Sequence, residues 1–193
     1  TETNIWNGYE WSTVTPKITG HNQPMKKVIL SDGSELKCTN YHKFILKDNS
    51  RVKAEDLKIG DKLIKCNFPV IDQGETIDEK LAYTQGFYVG DGYSKRNNEP
   101  VVYLYDKKKD LLPFMRKGTV REDANDNRIA LTLTEEKQYY SKDFIPDIQY
   151  SIKSRLDWLA GYMDADGSVN QDGSICISSI NKDNLYKVKL LLN

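Results

Sequence analysis

Three observations predict an α+β fold: a β-rich first part followed by a region in which helices alternate with hairpins. Residues 1–70 carry short strand-like runs punctuated by turn dipeptides. From Gln73-Gly74-Glu75 onward the apolar period lengthens to that of a helix. Two apolar segments at helical spacing then end in Asp-Gly, at Asp91-Gly92 and Asp166-Gly167, 75 positions apart.

In the first part, Tyr9–Thr15, Lys26–Leu30, Glu35–Thr39, Lys43–Leu46 and Asp61–Lys65 read as strands. Asn7-Gly8, Asp32-Gly33 and Asp48-Asn49 supply the turns between them. Many short strands at this spacing point to a compact, curled β-domain. The boundary falls near Ile71–Glu75, which divides the chain into 1–72 and 73–193. In the second part Thr76 reads as a helix N-cap with Glu79 three residues on, and the helix runs to Val89 and stops at Gly92. Val101–Tyr105 is a strand, Asp106–Lys117 a short basic helix interrupted by Pro113, and Thr119–Thr134 a hairpin. Ser154–Asp166 is a second helix, Ser168–Ile180 a hairpin turning at Asp172-Gly173, and Asn181–Leu192 a helix capped by Asn181. Helix, strands and further helix thus run once from residue 75 to about 150 and begin again at 154. Only 26 residues follow Gly167, against 54 from Gly92 to Pro146, so the second copy is expected to be cut short.

Composition narrows the function classes. The 193 residues include 28 basic and 28 acidic side chains, with 12 Tyr, 3 Trp and 5 Phe, which suits a soluble chain able to bury a core. No apolar run approaches the ~18–20 residues of a membrane span, and the start lacks the layout of a signal peptide. Cys38, Cys66 and Cys176 are too far apart in sequence to suggest a disulfide frame or zinc site, and they read as reduced thiols in a cytoplasmic protein. Zero net charge argues against an indiscriminate polyanion binder. The charge is unevenly placed, however. Residues 1–70 hold 11 basic and 8 acidic groups, and residues 71–193 hold 17 and 20. Basic groups cluster at Lys107–Lys109 and Arg116–Lys117, so any nucleic-acid contact depends on placement rather than excess.

The chemistry-bearing signal is the segment pair 84–92 and 159–167. Each carries small residues four apart, Gly86 with Gly90 and Gly161 with Ala165, and such residues share one helix face. If those faces meet, Asp91 and Asp166 project from neighbouring C-terminal ends, where two negative dipole ends add to two carboxylates. Mg²⁺ is the natural neutraliser, because it takes a few carboxylates and fills its shell with water and phosphate oxygens. Carboxylate-held metal ions are common machinery for phosphodiester cleavage. One Asp-Gly helix ending is ordinary; two, each preceded by small residues four apart, are not.

Leu159-Ala160-Gly161-Tyr162-Met163-Asp164-Ala165-Asp166-Gly167 closely resembles the LAGLIDADG signature of homing endonucleases, and residues 84–92 resemble a diverged first copy. The resemblance implies αββαββα-type halves whose strands form a saddle on the major groove of double-stranded DNA. It makes Asp91 and Asp166 the metal-binding carboxylates, and Lys142, ahead of Ile145-Pro146, a lysine of the active centre that polarises the attacking water or steadies phosphate charge. Taken alone, Lys142 reads equally well as a solvent-facing linker residue. Lys95, Arg96, Arg121, Arg128, Asn170 and Gln171 on the hairpins are the candidates for reading base edges, although a charged hairpin face is usually just solvated.

In the first part, Val28–Leu46 with Thr39-Asn40-Tyr41-His42, followed by Arg51–Ile64, resembles the splicing (Hint) domain of inteins, in the manner of phage and bacterial inteins of ribonucleotide reductase genes. That resemblance gives His42 the role of protonating the leaving amide nitrogen at a splice junction, with Thr39 positioning it. No splicing nucleophile and no terminal His-Asn pair are recognisable, and the chain starts at Thr1 without Met. It therefore reads as a fragment lacking both splice junctions, unable to splice itself. The partners implied are double-stranded DNA of the uninterrupted host gene and the exteins or missing intein segments, with no membrane. A non-cleaving DNA-binding or structural remnant is the competing reading. One piece of a split intein is another.

Overall fold

The computed structural model describes residues 1–65, 69 and 72–191. Cys66 and the Ile71 end of the expected boundary lie outside them, as does the Leu192 end of the last predicted helix. Two compact units emerge, Thr1–Pro69 and Val70–Asn193. The division thus falls a few residues before the expected 72/73. Asp72 belongs with the second unit, where its carboxylate accepts from the Ile152 N–H at 3.0 Å.

The first unit contains three separate antiparallel pairs: β1 (Thr3–Trp6) with β2 (Trp11–Val14), β3 (Met25–Ile29) with β4 (Glu35–Thr39), and β5 (Lys43–Ile45) with β6 (Arg51–Lys53). Short polar residues build the turns. Asn7 Oδ1 accepts from the N–H groups of Tyr9 and Glu10, and Asp32 Oδ1 accepts from Ser34 N–H beside Gly33 at φ +80°. The first turn holds Tyr9 and Glu10, so β2 begins only at Trp11. The sequence reading missed β1 and β6, four and three residues long, which are too short to show a period. Asp61–Lys65 is not a strand. Its Asp61 carboxylate accepts from Lys58 N–H in a turn through Gly60, at φ +99°, and only Leu63 bridges across, to Leu46. Among the described residues of this unit, Cys38 and Ala54 are the buried hydrophobic ones.

In the second unit, α1 (Glu79–Asp91) leads into a four-stranded antiparallel sheet of order β7-β8-β10-β9, made of β7 (Gly92–Ser94), β8 (Pro100–Tyr105), β9 (Thr119–Asp123) and β10 (Arg128–Thr132). A 3₁₀ helix, Asp106–Phe114, links β8 to β9. The expected basic helix is therefore real but tighter and shorter, and Pro113 sits in its last turn. Then α2 (Ile152–Asp166), the hairpin β11 (Gly167–Val169) and β12 (Ile175–Ile177), and α3 (Lys182–Leu191) follow. The N-cap of α1 is Asp78, two residues after the expected Thr76, and its carboxylate accepts from Leu81 N–H at 3.1 Å. Ser151 caps α2, and Asn181 Oδ1 accepts from Asn184 N–H ahead of α3.

The repeat is built into the register. Gly92 faces Val102 across β7 and β8, and Gly167 faces Ile177 across β11 and β12; both partners are offset by the same 75 positions. Glu75 and Tyr150, again 75 apart, bridge in parallel just before their helices. Helices α1 and α2 therefore run side by side in the same direction, related by an approximate two-fold axis.

Two cores flank that helix pair. Phe87 and Tyr88 of α1 pack on Val102 and Leu104 of β8 and Leu131 of β10, so the sheet covers one side. Trp158 and Tyr162 of α2 pack with Ala82 and Val89 of α1 and with Val188 and Leu191 of α3. Each fully buried apolar side chain of this kind contributes about 2 kcal/mol. Helix α1 is buried on most of its circumference, whereas α2 buries a stripe of Ser154, Arg155, Trp158, Gly161, Tyr162 and Ala165. The residues that differ between the two copies fit this difference in surroundings. Thr84, where the second copy has Leu159, is fully buried; its hydroxyl donates to Lys80 O and accepts from Arg116 N–H at 2.7 Å, tying down the segment after the 3₁₀ helix. Val89 stands where the second copy has Asp164, and it packs into the α2 side of the core.

Candidate active site

The site begins with glycine. A methyl carbon on Gly86 would collide with the carbonyl oxygen of Trp158, and one on Gly161 would collide with the carbonyl oxygen of Tyr83. The two clashes are mirror images under the 75-residue offset. At these points backbone lies on backbone, and any side chain would force the helices apart. One turn later, a carbon on Gly90 would stand 2.5 Å from Ala165 Cβ and 3.0 Å from Asp166 Oδ2, so the close approach continues to the helix ends. Tyr83 of α1 donates to Asp164 of α2 at 2.6 Å and fixes the register on the rim. Burial and that carboxylate push the Tyr83 hydroxyl above its usual pKa.

Both helices end on glycine for lack of space rather than for handedness. Gly92 and Gly167 have φ of −72° and −76°, extended rather than left-handed. A side chain at either would meet the carbonyl of Tyr88 or Met163, which accepts that glycine's own N–H. The chain thus turns directly from helix into strand and leaves Asp91 and Asp166 at adjacent ends.

Two ammonium groups lie against those ends. Lys142 Nζ donates to Val89 O at 3.0 Å and to Gly90 O at 2.6 Å, and it lies 5.8 Å from the Tyr88 ring centre. Lys108, from the 3₁₀ helix, donates to Asp91 Oδ2 at 2.5 Å and to Ala165 O at 2.6 Å, with the Phe87 ring 5.7 Å away. Each lysine therefore meets free carbonyls at a helix's negative end. Burial pulls Lys142 below the usual lysine pKa, against the upward pull of Asp166 and Asp91. Asp166 shifts the other way: burial first and the Asp91 charge second raise it, with Lys142 and Lys108 partly offsetting. Its ionised form is therefore disfavoured in the folded state relative to the unfolded chain. Asp166→Asn, which removes that charge, is expected to raise the melting temperature slightly at neutral pH; a scanning calorimetry trace that shifts downward would contradict this reading of the site.

The arrangement suits a hard divalent cation. Asp91, Asp166 and the Gly90 and Ala165 carbonyls present oxygen only, and the lysine nitrogens already hold cationic charge against them. Among the described residues no three His, Cys, Asp or Glu side chains gather into a metal site. A cation here would therefore take its protein ligands from the two aspartates and fill its shell with water and substrate oxygen.

Lys108 was not singled out in the sequence beyond its place in the Lys107–Lys109 run. Its position in the site depends on the 3₁₀ turn. Asp106 at φ +46° accepts from Asn127 Nδ2 at 3.2 Å, and Lys109 Nζ donates to Asn127 Oδ1 at 2.5 Å. These ties to the β9–β10 turn flank Lys108, whose side chain reaches Asp91 instead. An open cleft of about 600 Å³ adjoins it, lined by Asp91, Tyr103, Tyr105, Asp106, Lys107 and Lys108.

Tyr103 and Tyr105 belong to the sheet face turned away from the Val102, Leu104 and Leu131 core, and cross-strand pairing puts Arg121 and Arg128 on that face too. Arg121 is exposed. Arg128 is engaged: it stacks 4.7 Å over Tyr103 and pairs with Asp123 and Asp126. Lys95 lies 3.5 Å from Thr132 Oγ1 and near Glu99, while Arg96 is exposed in the β7–β8 turn. Asn170 and Gln171 are exposed in the β11–β12 turn, with Asn170 donating to Ser174 Oγ and Cys176 Sγ. Arg116, part of a predicted basic cluster, is held by Asp78 and Glu136. In the first unit, Thr39 accepts His42 N–H through its backbone oxygen at 3.1 Å, and the exposed His42 ring stands edge-on to Phe44 at 5.1 Å.

Residues 153–193 match the family of LAGLIDADG-like domains. The ribonucleoside-diphosphate reductase large subunit of Invertebrate iridescent virus 6 is 38% identical over 97% of this chain, which spans 22% of that relative's length. The replication factor C small subunit of Methanocaldococcus jannaschii is 26% identical over 69% of the chain and 7% of its own length. For the ribonucleoside-diphosphate reductase NrdEB subunit alpha of Bacillus subtilis the figures are 32%, 49% and 9%. No helix among the described residues is long and apolar enough to cross a membrane. The matched stretch takes in α2 from Lys153 onward, the β11–β12 hairpin and α3.

Proposed function

We propose that the second unit is a site-specific endonuclease for double-stranded DNA, carried by an intein of a ribonucleotide reductase gene. The observation that carries this reading is the pair of aspartates brought to adjacent helix ends, with two lysines against them, beside a cleft that opens onto the Tyr103, Arg121 and Arg128 face. The relatives lend support from another direction. A reductase subunit and a replication factor subunit carry different names, and both match over a small fraction of their length. An element inserted into different hosts produces that pattern.

In this reading the outer sheet face lies along the major groove. Arg121 and the side chains of the hairpin turns contact base edges, while Arg128 must first leave Asp123 and Asp126. Asp91 and Asp166 would hold Mg²⁺, which supplies charge neutralisation at the attacking and leaving oxygens of a phosphodiester. Lys142 orients the water whose oxygen forms the new bond to phosphorus. As the ester P–O bond breaks, the leaving oxygen takes up a proton. The first unit is read as a Hint-like splicing segment in which Thr39 positions His42 to protonate a leaving amide nitrogen. Its partners in that reaction would be the exteins.

The test is to incubate the chain with DNA spanning the uninterrupted reductase reading frame, with Mg²⁺ or with EDTA. Cutting at one site in Mg²⁺ alone is the expected result. Tight binding without strand breakage under either condition would show a non-cleaving remnant instead.

A further inference from the structure

We infer that Lys108 is a built-in counter-ion that holds the Asp91 position against divalent cations until a phosphate draws it away; this deepens the proposed function and rests on its reading of Asp91 as a metal ligand. The geometry leaves little room for both cations. The Lys108 ammonium lies 2.5 Å from Asp91 Oδ2 and 2.6 Å from Ala165 O, between the two helix ends where an oxygen-seeking cation would bind. A divalent ion on that carboxylate would face a unit positive charge a few ångströms away, in a half-buried setting where screening is weak. Metal and ammonium therefore compete for the same oxygens.

The backbone around Lys108 is anchored independently of the contacts its ammonium makes. Asp106 and Lys109 are both tied to Asn127, which fixes the 3₁₀ turn, while the Lys108 side chain is about one-third exposed at the edge of the cleft. A four-carbon stem pivoting on a fixed backbone can swing its ammonium into that cleft without moving the fold. A DNA phosphate lying there offers Lys108 a replacement anion, and the swing frees Asp91 for the metal. Loading of metal at Asp91 is thus coupled to the presence of substrate, and metal binding without DNA is weakened. The sequence repeat makes the device one-sided, since the position 75 residues beyond Lys108 is Asp183.

The test is calorimetric titration of Mn²⁺ into the full chain without DNA, for the wild type, Lys108→Met, Lys108→Arg and Asp91→Asn. Lys108→Met should bind Mn²⁺ roughly three- to tenfold more tightly than wild type, the range set by a partly exposed ion pair plus relief of like-charge repulsion. Lys108→Arg keeps the charge and should stay near wild type. Equal or weaker binding by Lys108→Met overturns the inference. A second measurement needs no variant to fold: in the wild type, the Lys108 Cε resonance should move toward its free-lysine position as diamagnetic Ca²⁺ is added, and a resonance that stays put at saturating Ca²⁺ also overturns it. Failure of the underlying reading would look different. Asp91→Asn would then bind Mn²⁺ as well as wild type does, whereas failure of the counter-ion alone would leave Asp91→Asn defective and Lys108→Met unchanged.

Discussion

Gly161→Ala should destabilise the second unit by about 3 kcal/mol or more, near the upper end for overpacking by a single methyl. The added carbon would overlap the Tyr83 carbonyl oxygen and approach the Phe87 backbone N–H. Rotamer changes give no relief, because both sides of the contact are main chain. The helices must separate or slide, and either movement also disturbs Trp158 and Tyr162 on one side and Phe87 on the other. For a domain of this size the loss corresponds to roughly 10 °C or more in Tm. Gly86→Ala should behave alike, since its methyl meets Trp158 through the same geometry. Alanine is better than glycine in an isolated helix by about 1 kcal/mol, so propensity and packing predict opposite signs. Thermal melts of the two variants decide between them, and a Tm at or above that of the wild type would show that the helices are not in backbone contact.

Much of this arrangement was legible in the sequence, for a physical reason. Backbone contact between helices demands small residues at fixed spacing, and Gly86, Gly90, Gly161 and Ala165 announce it regardless of what surrounds them. The Asp-Gly endings are similarly constrained, although the reason differs from the usual left-handed cap: glycine is there because helix passes straight into strand and a Cβ would strike the preceding turn. The α1 start was misplaced because Thr76 with Glu79 satisfies a capping pattern locally, while the real cap, Asp78, also pairs with Arg116 from a distant segment. Lys142 could be noted from its place ahead of Ile145-Pro146. Lys108 could not, because its role comes from a 3₁₀ turn held by Asn127 across the sheet, and nothing in the run Lys107-Lys108-Lys109 tells one lysine from the next. The short strands β1, β6 and β7 were missed because three or four residues carry no measurable alternation.

The second large effect concerns the carboxylates. Asp91 and Asp166 stand where two negative helix ends converge, an arrangement that costs stability in their ionised form and is sensible only if a cation uses it. Replacing either by asparagine keeps the shape and removes the charge that would hold metal. Both variants should lose cleavage by about a hundredfold or more, comparable to the loss of a principal charge-stabilising group in other hydrolytic sites, and Asp166→Asn should fold at least as well as the wild type while doing so. Stability and activity moving in opposite directions separate a functional pair from a merely structural one.

The most direct measurement is the conversion of a supercoiled plasmid bearing the uninterrupted reductase reading frame, in Mg²⁺, by the wild type, Asp91→Asn and Asp166→Asn. The wild type should break the plasmid at one site, and each variant should lose the ability to break both strands while binding the same DNA. Asp91→Asn and Asp166→Asn cutting both strands as fast as the wild type would contradict the assignment of the helix ends as the cleavage centre.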